Sequence, residues 1–154
     1  MNATNKIFRL IEYMNSHVCE NLSLDDMCRV VDFSKSHMGE LFSFYIGETP
    51  NKFFYKLKLK YGARLLYYDD NVLDVALKIG FNSHEAFTRA FKKEFGLTPS
   101  EYRSMYKNGL HPLEELNDIE LTFVFEPSPA YRLFLGLDKF GGNYDIYQSL
   151  INRY

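Results

Sequence analysis

The chain of 154 residues contains one residue pattern twice. Corresponding positions are 48 residues apart before a central turn and 49 residues apart after it. The shared positions are Cys28, Phe33, Ser34, Phe42, Gly47, Thr49 and Pro50 in the first copy, and Ala76, Phe81, Ser83, Phe91, Gly96, Thr98 and Pro99 in the second. Each copy is one supersecondary unit that cannot bury its apolar face alone. The repeat therefore predicts a bipartite chain in which each copy is a helix, a tight turn and a second helix.

Apolar periodicity and capping residues predict seven helices. Ser23 and Ser34 are expected N-caps, and Gly47 is an expected helix stop. Pro99 is suited to the first position of the last helix. The predicted ranges are about 5–19, 24–31, 35–46, 50–68, 72–79, 83–95 and 99–108. Gly62 lies inside the fourth helix at a cost of about 1 kcal/mol relative to alanine, so we expect a close helix contact or a bend there.

The second copy carries a long ordered block of residues between Gly80 and Arg103. It reads G-F-x-S-x-x-x-F-x-R-x-F-K-K-x-F-G-x-T-P-x-x-Y-R. This block resembles the hallmark of AraC/XylS-type DNA-binding domains, and the resemblance covers about residues 5–108. It implies two helix-turn-helix subdomains joined by a long helix, in a bacterial transcription regulator that binds double-stranded DNA. RNA polymerase is a further candidate partner.

The expected fold class is mainly α, with two helix-turn-helix subdomains and a short C-terminal ββα segment. The DNA-binding domain is predicted at residues 1–108. Within it, the two units span about 5–47 and 72–108, and the linker helix spans 50–68. Two such units can read successive major grooves, roughly 34 Å apart, without dimerisation if a rigid element spaces them.

The helix predicted at 83–95 carries the candidate base contacts. In a helix-turn-helix, the second helix enters the major groove with its N-terminal residues near the base edges. The candidates share one helix face, and they are His84, Glu85, Thr88 and Arg89. Arg89 can bond O6 and N7 of guanine, and Thr88 can touch a thymine methyl group or a phosphate. Glu85 can accept a hydrogen bond from cytosine N4 but repels phosphate. The alternative for all four residues is that they form an ordinary polar surface.

Phosphate contacts are predicted where helices begin, because free backbone N–H groups there favour anions, and on the basic side of the 83–95 helix. The residues are Ser34, Lys35, Ser36, Ser83, Lys92 and Lys93. His84 is a further candidate, since it can donate to a base, contact a phosphate or only fill the surface.

The net charge of −2, taken alone, argues against DNA binding. Its distribution does not, because residues 34–108 carry 12 basic and 8 acidic side chains, whereas 109–154 carry 3 and 7. A run without acids lies on the linker helix, and its predicted basic patch consists of Lys56, Lys58, Lys60 and Arg64. Phosphate neutralisation needs a local patch rather than a basic protein. The alternative is a solvated helix face.

The first copy departs from the pattern of the second at the predicted base contacts. The equivalent residues are Lys35, Ser36, Gly39 and Glu40. Gly39 and Glu40 offer little to a base edge. We therefore expect the second copy to dominate sequence choice and the first to position the protein on phosphates. The alternative is that the first copy is a protein-contact surface, which Phe44 and Tyr45 would suit.

The sequence contains no Ser/His/Asp arrangement, paired carboxylate motif, phosphate loop or nucleotide fingerprint, so we predict no enzymatic activity and no cofactor. Cys19 and Cys28 lack the spacing of a metal site and are expected as reduced core thiols. No signal peptide or membrane span is evident in the sequence. We therefore expect a cytoplasmic protein without a membrane partner.

From Asp118 the apolar period changes to two, which is typical of strands. Two strands near 119–125 and 131–137, with a helix from about 143, predict a ββα segment within 109–154. This segment resembles the start of a GyrI-like effector-binding domain. Because a piece this small rarely folds alone, we expect it to pack on the helices, to pair with a second copy through an open strand edge, or to be poorly ordered. The second of these alternatives makes it a candidate for homodimer formation. The alternative function is a non-enzymatic protein-interaction or small-molecule-sensing module that retains the fold but binds DNA weakly.

Overall fold

The computed structural model describes residues 2–68 and 71–107, with side chains as far as residue 105. Seven α-helices lie in these ranges: α1 (Ala3–Ser16), α2 (Leu24–Val31), α3 (Lys35–Ile46), α4 (Pro50–Tyr67), α5 (Val72–Lys78), α6 (His84–Phe95) and α7 (Pro99–Lys107). The mainly helical prediction is confirmed for this part of the chain. The ββα segment predicted at 109–154 lies outside the described residues.

Two compact units divide the described residues. The first unit contains residues 2–16 and 22–53, and the second contains 17–21, 54–68 and 71–107. Helix α4 therefore contributes its first four residues to the first unit and the rest to the second.

The core of the first unit consists of apolar side chains from α1, α2, α3 and the start of α4. They are Ile7, Leu10, Ile11, Met14, Met27, Val31, Met38, Phe42, Ile46 and Phe53. The rings of Phe42 and Phe53 meet edge to face with centroids 5.4 Å apart. Helix α1 ends at Ser16, earlier than predicted, where the Ser16 hydroxyl donates to the carbonyls of Glu12 and Tyr13.

The core of the second unit joins α4 to the three helices that follow it. Its buried members are Leu59, Ala63, Leu66, Val75, Ala76, Ile79, Phe87, Ala90, Phe91 and Tyr102. Gly62 is buried against this core, because a Cβ atom there would lie 2.9 Å from Cδ1 of Ile79 and 3.2 Å from the Phe87 ring. The close contact predicted from the cost of this glycine is confirmed.

The sequence repeat corresponds to a repeated backbone turn. Asp32 in the first unit and Gly80 in the second both have left-handed backbones, with φ of 55° and 86°. The amide of Phe33 donates to the carbonyl of Cys28 over 3.3 Å, and the equivalent Phe81 amide donates to Ala76 over 2.9 Å. The two turns therefore share one hydrogen-bond pattern, although only the second has the glycine that this backbone favours.

Candidate nucleic-acid interface

Helix α6 begins at a well-formed cap. Ser83 is its N-cap, and the Ser83 hydroxyl accepts from the amide of Ala86 over 3.1 Å. Gly96, with φ of 75°, ends the helix, as the equivalent Gly47 ends α3. The remaining N–H groups of the first turn have no partner within the helix, and together with the helix dipole they favour an anion.

One side of α6 is exposed and polar, and the other is buried and apolar. His84, Glu85 and Arg89 are exposed, and Lys92 and Lys93 are exposed further along the helix. Phe87, Ala90 and Phe91 face the core of the second unit. The exposed face thus combines a guanidinium, an imidazole and a carboxylate near the helix start.

Thr88 differs from the other candidates on this face. The residue is half-buried, and its hydroxyl oxygen is shielded from solvent without a hydrogen-bond partner among the described residues. A phosphate contact by this hydroxyl, one of the two alternatives given for Thr88, does not fit the side-chain conformation observed. A contact between the Thr88 methyl group and a thymine remains compatible with it.

The first unit presents a different helix start at α3. Lys35 Nζ lies 2.9 Å from Oδ1 of Asp25, and both side chains remain more than half exposed. The hydrogen bond from Lys35 to Asp25, and the charge of that carboxylate, raise the pKa of the lysine. The charge of Lys35 thus already has an acidic neighbour within the first unit.

Serine side chains at the same helix start are also engaged. Ser34 is the N-cap and accepts from the amide of His37 over 3.3 Å. The Ser36 hydroxyl donates to Oε1 of Glu40 over 3.2 Å. The predicted phosphate site at 34–36 therefore has two carboxylates close by, those of Asp25 and Glu40, which oppose a second anion.

Lys58 does not belong to a basic patch, and this part of the prediction is wrong. The residue is only 8% exposed. Its ammonium donates to the carbonyl of Glu20 over 2.6 Å and to the carbonyl of Ile79 over 3.1 Å. Residues two apart on a helix point in different directions, so Lys58 lies away from Lys56 and Lys60.

The other three basic residues of the predicted patch follow helical spacing. Lys60 is exposed, and Lys56 and Arg64 are half-buried. Because they lie four residues apart in succession, they share one face of α4. The structure thus retains a smaller basic face on the linker helix, formed by Lys56, Lys60 and Arg64.

Sequence reasoning missed the acidic partner of Lys35. Asp25 lies ten residues upstream on another helix, and no local spacing rule joins the two positions. The burial of Lys58 could have been anticipated from the sequence, because residues two apart on a helix point in different directions and Lys58 therefore cannot share a face with Lys56 and Lys60.

Among residues 2–68 and 71–107, no cluster of three or more His, Cys, Asp or Glu side chains is placed to hold a metal ion. The helices of the same ranges are all too short or too polar to cross a membrane. Cys19 is an exposed free thiol and Cys28 is a half-buried one. The expectation that both thiols are buried in the core is therefore wrong for Cys19.

Comparisons with known proteins agree with this geometry. A family model described as a helix-turn-helix domain matches residues 27–105. YbfP of Bacillus subtilis, an uncharacterized HTH-type transcriptional regulator, is 31% identical over 134 residues, which are 85% of this chain and 45% of that protein. The probable transcription factor PqrA of Proteus vulgaris is 33% identical over 112 residues, 72% of this chain and 88% of that protein. The chain thus spans less than half the length of YbfP.

Solved structures share the fold. A transcriptional regulator of Chromobacterium violaceum, described as containing an AraC-type DNA-binding domain, superposes with a TM-score of 0.64 at 28% identity, over 67% of this chain and 93% of that one. The DNA-binding domain of AdpA, solved with a target DNA, superposes with a TM-score of 0.64 at 22% identity, over 68% and 95% of the two chains.

Proposed function

The chain belongs to the AraC-type helix-turn-helix family, and from this premise we propose that it is a DNA-binding transcription regulator that reads the major groove mainly through α6. The observation that carries the proposal is the exposed polar face at the start of α6, set on a helix whose opposite face is fixed in the core of the second unit. A rigidly packed helix with exposed polar side chains near its N-terminus has the form of a recognition helix.

Arg89 is the proposed principal base contact. Its side chain is exposed on α6, and a guanidinium can donate two parallel hydrogen bonds to O6 and N7 of guanine. His84 and Glu85 are proposed as further base contacts from the first turn. Thr88 contributes its methyl group, because its hydroxyl is buried.

Phosphate contacts are proposed at both ends of α6 and on α4. Ser83 and the free amides beside it form one site, and Lys92 and Lys93 form another. On α4 the proposal keeps Lys56, Lys60 and Arg64 and omits Lys58. The first unit contributes less, because Ser34, Lys35 and Ser36 lie near the carboxylates of Asp25 and Glu40.

The remaining partners follow from the regulator role and belong to the same proposal. Double-stranded DNA is the main proposed partner, RNA polymerase is a proposed protein partner, and the protein is proposed to act in the cytoplasm.

Residues 1–108 would form the DNA-binding part, with its two units and linker helix. Residues 109–154 would form a GyrI-like effector-type segment through which two chains associate. AdpA, whose DNA-binding domain shares this fold, was solved with its target DNA, which supports the choice of DNA.

Selection of duplexes from a random-sequence library, followed by binding of the enriched duplex at several salt concentrations, tests this function. The proposal expects an enriched sequence and an affinity that falls steeply with salt, because each neutralised phosphate releases counterions. Enrichment of no sequence, with no binding even at low salt, would contradict it. That outcome would favour the alternative of a protein-contact module, for which the 37% exposed Phe44 of α3 is the first residue to test.

A further inference from the structure

Lys58 is a buried cation in the middle of α4, and it joins two other segments of the second unit. Its ammonium reaches the carbonyl of Glu20 over 2.6 Å and that of Ile79 over 3.1 Å. It also lies 4.8 Å from the centroid of the Phe54 ring. An ammonium has three donors, and a buried one must be well satisfied because transfer from water is costly. The two carbonyls and the ring supply that satisfaction.

The carbonyl of Ile79 is not an ordinary acceptor. Ile79 is the C-cap of α5, so its carbonyl belongs to the group that has no partner within the helix. The end of a helix also carries a partial negative charge, which favours a cation. Lys58 thus occupies the site at which α5 ends and the turn of the second unit begins.

The turn itself is packed against the same lysine. Gly80 has φ of +86°, and a Cβ atom there would lie 3.3 Å from Lys58 Nζ and 2.7 Å from Oδ1 of Asn21. The backbone at Gly80 therefore approaches the lysine as closely as the absence of a side chain allows. Only three residues separate Gly80 from His84, where α6 begins.

We propose that Lys58 is a positioning residue for DNA reading, which holds the Ile79 carbonyl and so sets the orientation at which α6 presents its exposed face. The inference rests on the proposed function of α6. It assigns Lys58 no contact with DNA, in contrast to the exposed Lys60 two positions along the same helix. Without the ammonium, two carbonyls lose their partner, and the turn at 79–83 rearranges to satisfy them.

The test compares Lys58→Met with Lys60→Met, which remove the same charge from neighbouring sites of α4. Each variant is measured on the selected duplex and on a scrambled duplex of equal length at several salt concentrations. A loss of folded protein lowers both affinities by one factor, so the ratio between them reports the orientation of α6 rather than stability.

Lys58→Met is expected to lower the ratio of affinity for the selected duplex to affinity for the scrambled duplex roughly tenfold, as the loss of one good base contact would. The salt dependence of its binding is expected to equal that of the wild type. Lys60→Met is expected to keep the ratio and to reduce the salt slope by about 0.9, as the loss of one phosphate contact would. A Lys58→Met protein with an unchanged ratio and a reduced salt slope would overturn the proposal, because that result assigns Lys58 to phosphate.

Amide hydrogen exchange without DNA separates this inference from the proposed function. Lys58→Met is expected to exchange faster at residues 79–86 than the wild type and Lys60→Met, and equal exchange would overturn the positioning role. If the wild type shows no sequence preference, the proposed function fails, and the exchange data alone decide whether Lys58 holds the turn.

If Lys58→Met does not fold, Lys58→Gln, which keeps a neutral donor, is expected to show the same faster exchange at 79–86. Wild-type exchange in Lys58→Gln would count against the ammonium as the holding group.

Discussion

The ammonium of Lys35 lies 2.9 Å from the carboxylate of Asp25, so the first basic side chain of α3 is paired with an acid from α2. Among the ion pairs of the described residues, none joins an acid to Arg89 of the second unit. Two copies of one sequence pattern have therefore folded alike but expose different charges. This difference is the physical basis for assigning DNA reading mainly to α6.

Asp25→Asn is expected to increase affinity for DNA of any sequence, because it removes the charge that competes with phosphate for Lys35. We expect binding to an arbitrary duplex at low salt to tighten roughly twofold to fivefold, with the preference for the selected sequence unchanged. Fluorescence anisotropy measures both. Glu12→Gln, which removes one exposed charge from α1 of the same unit, is the control and is expected to have a smaller effect. Equal effects of the two variants would mean that only net charge matters.

Asp32→Gly and Gly80→Ala are expected to change stability in opposite directions, although they alter equivalent turn positions. A left-handed backbone costs a non-glycine residue about 1 to 2 kcal/mol, and Asp32→Gly removes this cost. Because glycine loses more chain entropy on folding, part of the gain is cancelled, and Asp32→Gly should stabilise the protein by about 0.5 kcal/mol. Gly80→Ala should destabilise by roughly 2 kcal/mol through backbone strain and the approach of its Cβ to Asn21. Urea unfolding measures whether each substitution raises or lowers the free energy of unfolding. Destabilisation by Asp32→Gly would show that the Asp32 side chain has a stabilising role.

Acid is expected to weaken the starts of α2 and α7. Hydrogen bonds from the Ser23 hydroxyl and amide lower the pKa of Asp26 from its ordinary 3.8, and those from the Thr98 amide and hydroxyl lower the pKa of Glu101 from 4.5. A carboxylate whose pKa is lowered on folding contributes stability above its unfolded pKa and loses it as pH falls through the folded value. Stability should therefore fall below about pH 4.5, first through Glu101 and then through Asp26.

The variant Asp26→Asn/Glu101→Gln isolates these two groups in urea unfolding at a series of pH values. It should be less stable than the wild type at neutral pH, and the difference should shrink as the pH falls below 4. Glu94→Gln, at an exposed carboxylate in the last turn of α6, serves as the control. A difference that stays constant from neutral pH to acid would contradict the assignment.

Helix positions could be predicted from sequence because capping residues act locally. Ser23, Ser34 and Gly47 mark helix ends through hydrogen bonds to residues within one turn, and the structure places them at those ends. The predicted end of α1 is too late because no glycine or proline marks the position at which the helix stops.

The side-chain partners of the candidate site were harder to predict because they depend on tertiary packing. A run of lysines in sequence suggested one basic patch, but helical rotation directs Lys58 inward while Lys60 faces solvent. The pairing of Lys35 with Asp25 joins two helices and has no sequence spacing of its own. Burial of the Thr88 hydroxyl depends on its rotamer, which the helical pattern does not determine.

Removal of the Arg89 side chain is the decisive test of base reading by α6. Wild type, Arg89→Ala and the control Arg9→Ala, at an exposed position of α1, are titrated against the selected duplex and a scrambled duplex by fluorescence anisotropy at several salt concentrations. We predict that Arg89→Ala loses about 1 to 3 kcal/mol of discrimination between the duplexes and that Arg9→Ala keeps it. Full discrimination by Arg89→Ala would contradict the claim that α6 reads DNA through this residue.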